Sequence, residues 1–123
     1  MPSLASLLVA FVALEHLGFL LLEMVFWTRP LGLRTFRLSL EQARQSAALA
    51  ANQGLYNGFL AAGLVWSLCS TSPAQAFALQ VFFLSCVIVA ALFGAWTVSR
   101  SILLVQGLPA AAALLAVWLG NAR

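Results

Sequence analysis

The sequence predicts an all-α polytopic membrane protein, a four-transmembrane-helix bundle with both termini on the outer side. Three observations lead there. Of 123 residues, 63% are hydrophobic and only 7% charged, whereas a soluble domain of this length needs a charged surface. Four apolar runs, about 4–27, 46–69, 76–98 and 102–120, each have about the 20 residues a helix needs to cross a hydrocarbon core roughly 30 Å thick. The arginines gather between the runs, with Arg29, Arg34, Arg37 and Arg44 in the first connection and Arg100 in the third.

The first run lacks a basic leading region and carries charge at its middle. More spans follow it, so it reads as a span and not as a secretory signal. In the connection 28–45, Pro30 and Gly32 are expected to stop the first helix. Ser39 and Gln42 have the spacing of a capping box, which starts the second helix near Leu40. That helix then protrudes one to two turns before entering lipid. Leu33, Phe36 and Leu38 alternate with Arg34 and Arg37, as in a segment lying at headgroup level. The short STSPAQ and the turn around Ser99, Arg100 and Ser101 complete the connections of a single membrane domain, 1–123.

Basic connections face the cytoplasm, which places 28–45 inside and both termini outside. Arg123 is the one charge against this scheme. The net charge of +3 then means orientation and contact with anionic lipid, with no nucleic-acid partner. Cys69 and Cys86 lie at different depths, too far apart for a disulfide, and one histidine makes an ordinary zinc site untenable. No metal or cofactor is expected.

The stretch VALEHLGFLLLEMVFW, residues 12–27, holds Glu15, His16 and Glu23 inside the first span. His16 and Glu23 are two helical turns apart and share a face; Glu15 points about 100° away from His16. In the second span Asn52 and Tyr56, and Gln53 and Asn57, repeat at four-residue spacing as a polar stripe, and Gln106 precedes Gly107 and Pro109 in the fourth. Counted from the cytoplasmic ends, Glu23, Asn52, Gln53 and Gln106 lie one to two turns in and Glu15, His16, Tyr56 and Asn57 nearer the midplane, a common layer in the inner half of the bilayer. An ionisable group at the bilayer centre costs about 2.5–3.5 kcal/mol on insertion scales, so it is turned inward and paired, and it marks function by default. A carboxyl there that loads and releases a proton at working pH is a proton-coupled site. Glu15 and Glu23 are the candidate proton-coupling acids, and His16, Asn52, Gln53, Tyr56, Asn57 and Gln106 the candidate lining of a substrate path. The competing reading is structural, since amides and tyrosines between spans also serve as interhelical hydrogen bonds worth about 0.6 kcal/mol each.

Small residues repeat every fourth position at Gly54, Gly58 and Ala62, and again at Cys86, Ala90 and Gly94. Both patterns let helices approach closely in lipid; one is expected to pack within the chain and the other to build a homodimer. Trp27, Trp66, Trp96 and Trp118 lie toward span ends, as interfacial anchors do.

The segments EHLGFLLLEMVFW, NQGLYNGFLAAGLVW, FFLSCVIVAALFGAWTVS and ILLVQGLPA resemble the small four-span bacterial membrane proteins of domain of unknown function 1304. The resemblance runs over almost the whole chain. It implies a multi-pass protein of the bacterial plasma (inner) membrane and supplies no chemistry. A looser likeness is to the small multidrug-resistance exporters, four-span dimers with an essential acid in the first span near where Glu15 stands; their other signature residues are absent, so the likeness is one of design. The sequence therefore favours a proton-coupled transporter or exporter of a small molecule and not an enzyme. The alternatives are a non-catalytic membrane component, and an intramembrane enzyme acting on a lipid or quinone. The last lacks any triad-like arrangement among Ser85, Cys86 and Tyr56.

Overall fold

The computed structural model describes residues 1–122; Arg123, the charge that opposed the outer placement of the termini, lies outside the described residues. Among these residues all regular structure is helical. The helices are α1 (Leu4–Met24), α2 (Pro30–Phe36), α3 (Leu40–Cys69), α4 (Pro73–Thr97) and α5 (Leu108–Asn121), with a π-helical turn at Leu103–Gly107 leading into α5. Among the described residues three segments are long and apolar enough to cross a membrane: Leu4–Met24, Pro73–Thr97 and the continuous Leu103–Asn121. α3 has 30 residues, but Asn52, Gln53, Tyr56 and Asn57 interrupt its apolar character.

The chain forms two compact units. The first comprises Met1–Leu14 and Leu60–Arg123, and the second Glu15–Phe59.

In the first unit, residues at helical spacing build the core: Val9, Val12 and Ala13 of α1, Leu64 of α3, Leu84 and Val87 of α4, and Ala110, Ala113 and Val117 of α5. The i, i+3, i+4 repeat puts each set on one helix face. Ser72 caps α4 by accepting a hydrogen bond from the Gln75 amide at 3.3 Å, and Pro73 follows at the first helical position, where its missing N–H is no loss. The π-helical turn ends at Gly107, two residues before Pro109, which has no N–H for the carbonyl four residues back and whose ring crowds that carbonyl. A widened turn relieves that crowding. Gly107 belongs to the same turn, and a Cβ there would sit 3.3 Å from the Ala91 methyl of α4.

The second unit begins with the carboxyl-terminal part of α1. That helix ends at Met24, where the Val25 and Phe26 amides both donate to the Leu21 carbonyl, at 2.9 and 3.0 Å. Pro30 and Gly32, expected to stop this helix, lie instead inside the next one. Pro30 opens α2, and Gly32 is buried against the Phe26 and Trp27 carbonyls, so closely that a Cβ would run into both. The basic connection thus holds a short helix of its own. It closes on Arg37 in the left-handed region (φ 55°, ψ 48°), whose N–H donates to the Leu33 carbonyl. The capping box forms as the sequence predicts: the Ser39 amide donates to Gln42 Oε1 at 2.9 Å, and the Gln42 amide to Ser39 Oγ at 3.1 Å. α3 starts at Leu40. Trp27 fastens the connection to α3, its indole N–H donating to Ser46 Oγ at 3.1 Å and its ring lying 4.8 Å from that of Phe36.

Candidate functional site

All but one of the residues singled out in the sequence lie in the second unit, and the geometry separates them into three groups. The first is a carboxyl–amide pair. α1 and α3 approach closely because Gly54 and Gly58 have no side chains: a Cβ on Gly54 would come 2.6 Å from Met24 Cγ and 3.1 Å from Glu23 Cβ, and one on Gly58 2.7 Å from Leu20 Cδ1. This is the within-chain use of a small-residue stripe. At that contact Asn57 Nδ2 donates to Glu23 Oε1 at 2.5 Å, joining residues 34 apart in the chain. The pair is partly buried, and Glu23 is satisfied by it.

Glu15 and His16 make the second group. His16 is fully buried (0% exposed), and its ring meets Phe19 edge-on with centroids 5.2 Å apart. Glu15 is half-buried. Its Oε1 is shielded from solvent and has no hydrogen-bond partner among the described residues. Of the two acids in α1, Glu23 is paired, and Glu15 has one shielded oxygen without a partner among the described residues.

The third group faces outward. Asn52 is exposed and donates to its own helix, at Ala48 O, 2.9 Å. Gln53 is exposed, and Tyr56 is 59% exposed with its ring 6.0 Å from Phe59. The stripe expected from four-residue spacing therefore divides, Asn57 turning toward α1 and Asn52, Gln53 and Tyr56 away. Gln106 belongs to the first unit, in the π-helical turn.

Among the described residues no group of three or more His, Cys, Asp or Glu side chains is placed to hold a metal ion. Cys69 and Cys86 are free. The Trp27–Ser46 bond could not be found by sequence reasoning, since neither the spacing nor the residue types mark it.

The family described as "Protein of unknown function (DUF1304)" matches residues 10–118. The chain is similar to an uncharacterized protein, YpaA, from Lactococcus lactis subsp. lactis (strain IL1403), with 31% identity over 109 residues that cover 87% of this chain and 90% of that protein. No solved structure matches.

Proposed function

The chain belongs to the DUF1304 family, and because that membership assigns no activity, we propose from the residues themselves that it is a small proton-coupled transporter or exporter, and not an enzyme. Glu15 is its proton-carrying acid. Glu23, held by Asn57, is the second acid of the site, and His16 completes the group on α1. The observation that carries this reading is the unpaired, shielded oxygen of Glu15. A polar group kept in a membrane helix for packing alone is expected to be bonded, because leaving it unpaired costs about 1–3 kcal/mol. A group that must take up and release a proton, or meet a substrate, has reason to be left without a fixed partner.

The same reading takes α3 as a fourth span. Its 30 residues extend about 45 Å at 1.5 Å per residue, enough to cross roughly 30 Å of hydrocarbon with its polar amino-terminal turns left outside. The basic segment 28–45 then faces the cytoplasm and both termini the outer side of the bacterial plasma (inner) membrane. The cargo is a small molecule exchanged against protons.

The pairing of Glu23 with Asn57 favours a second reading, a non-catalytic membrane component whose polar groups fix helix packing. One experiment separates the two. Protein reconstituted in lipid vesicles is followed by infrared spectroscopy of the carboxyl bands against pH, and by proton flux with candidate substrates. Transport requires a band that changes with pH and vanishes in Glu15→Gln, and substrate-dependent flux that the same change removes while the fold survives. Flux retained in Glu15→Gln sinks the assignment of Glu15. A carboxyl band insensitive to pH makes the packing reading the better one.

A further inference from the structure

A side chain on a membrane-crossing helix that turns away from its own chain meets either acyl tails or another protein, and acyl tails offer an amide nothing to bond. α3 turns several polar groups that way. Asn52, Gln53 and Tyr56 are exposed, while the side of the helix bearing Gly54 and Gly58 is already covered by α1. Exposed Leu49 and Phe59 extend the row, so that Leu49, Asn52, Tyr56 and Phe59 follow at spacings of three, four and three. That is the spacing of a helix-pair seam, with polar residues at its centre and large apolar ones at its ends.

We infer that this seam is the contact between two copies of the chain, Asn52, Gln53 and Tyr56 of each protomer bonding to the same residues of its partner. The inference rests on α3 crossing the membrane as proposed above. Two features of the seam favour a second copy over any other occupant. An amide and a phenol each carry both a donor and an acceptor, so each can pair with its own copy, as a row of like charges cannot. A two-fold axis along the membrane normal also brings every residue opposite its equivalent at the same depth, whereas an antiparallel pairing would set this polar row against the apolar end of α3. Asn52 retains its side-chain oxygen and one amide proton after its bond to Ala48. Polar residues inside an apolar seam fix register, which a seam of leucines leaves loose. The groove on α4 formed by Phe82, Ser85, Cys86, Val89 and Ala90 is the rival face, but it offers one hydroxyl and a weakly bonding thiol where α3 offers two amides and a phenol.

The test is disulfide cross-linking in native membranes. Single cysteines are introduced as Asn52→Cys, Tyr56→Cys and, as an off-seam control on the side of the helix that bears Gly58, Ala51→Cys, in a background carrying Cys69→Ala and Cys86→Ala; the unaltered chain reports on the α4 face. The expected result is a covalent dimer from Asn52→Cys and Tyr56→Cys and none from Ala51→Cys. Asn52→Leu combined with Gln53→Leu is expected to weaken the dimer about tenfold, at about threefold for each interhelical hydrogen bond lost, and an unchanged dimer overturns the inference. Cross-linking through Cys86 of the unaltered chain in place of the α3 positions also overturns it, as does a single-chain mass in lipid nanodiscs; both leave the proton-coupling reading standing. If the cysteine of Tyr56→Cys reacts freely with a water-soluble, membrane-impermeant maleimide in opened vesicles, α3 is bathed in water there. The span assignment and the dimer seam then fall together.

Discussion

Asn57 and Asn52 are chemically identical and five positions apart, yet they do different things. Asn57 donates to Glu23 across the α1–α3 contact, and Asn52 folds back on its own helix. Replacing Asn57 with Leu strands a half-buried carboxyl and is expected to lower stability by about 1–2 kcal/mol, read as a fall of several degrees in melting temperature in detergent. Glu23→Gln keeps an acceptor for the same donor and should cost clearly less. If the two variants melt alike, the bond contributes nothing. That an acid and an amide would meet was legible in the sequence from their residue types and shared depth. Which amide would meet which acid was not, because periodicity fixes a residue's angle on its own helix and says nothing of how the next helix is rotated.

Elements were legible where local chemistry decides and obscure where contacts decide. The capping box at Ser39 and Gln42 forms as its spacing predicts, since two reciprocal hydrogen bonds need no partner beyond four residues. Ser39→Ala removes one of them and is expected to cost about 1 kcal/mol, visible as earlier loss of protection at the first turn of α3 in hydrogen exchange; unchanged protection would count against the cap. Helix α2 escaped the sequence reading because Pro30 and Gly32 look like breakers, yet each fits its place, the proline at a helix start and the glycine under two carbonyls. Two other glycines invite a paired test. Gly18 has nothing within 4 Å of where a Cβ would stand, whereas at Gly54 that Cβ meets Met24, Glu23 and the Leu20 carbonyl. Gly18→Ala should therefore be neutral or stabilising by up to about 1 kcal/mol, and Gly54→Ala destabilising by about 1–3 kcal/mol. Equal melting temperatures for the two variants would mean that α1 and α3 are not in contact at Gly54.

For the molecule as a whole, composition was the strongest guide, since 7% charge rules out a soluble surface before any helix is placed. Extents of the apolar helices follow closely from hydropathy: the runs 4–27, 76–98 and 102–120 appear as Leu4–Met24, Pro73–Thr97 and Leu103–Asn121. The orientation proposed above rests on the arginines alone and has a direct check. An impermeant maleimide applied to intact cells is expected to label native Cys69, which is exposed at the end of α3, and to miss Thr35→Cys placed in a Cys69→Ala, Cys86→Ala background until the cells are opened. The reverse pattern would invert the topology and put the basic segment outside.

The π-helical turn at Leu103–Gly107 changes how the last span must be counted. An α-helix advances 100° per residue, and a wider turn accommodates one residue more than an α-helical turn would. Positions before and after it are consequently out of phase: a helical wheel drawn straight through 102–120 points Ala110, Ala113 and Val117 about 100° away from the face they occupy. Removing a single residue from this turn would restore the α-helical count and leave the buried face of α5 on the core, whereas the same deletion anywhere else in the span would act as a crank and swing everything after it by about 100°.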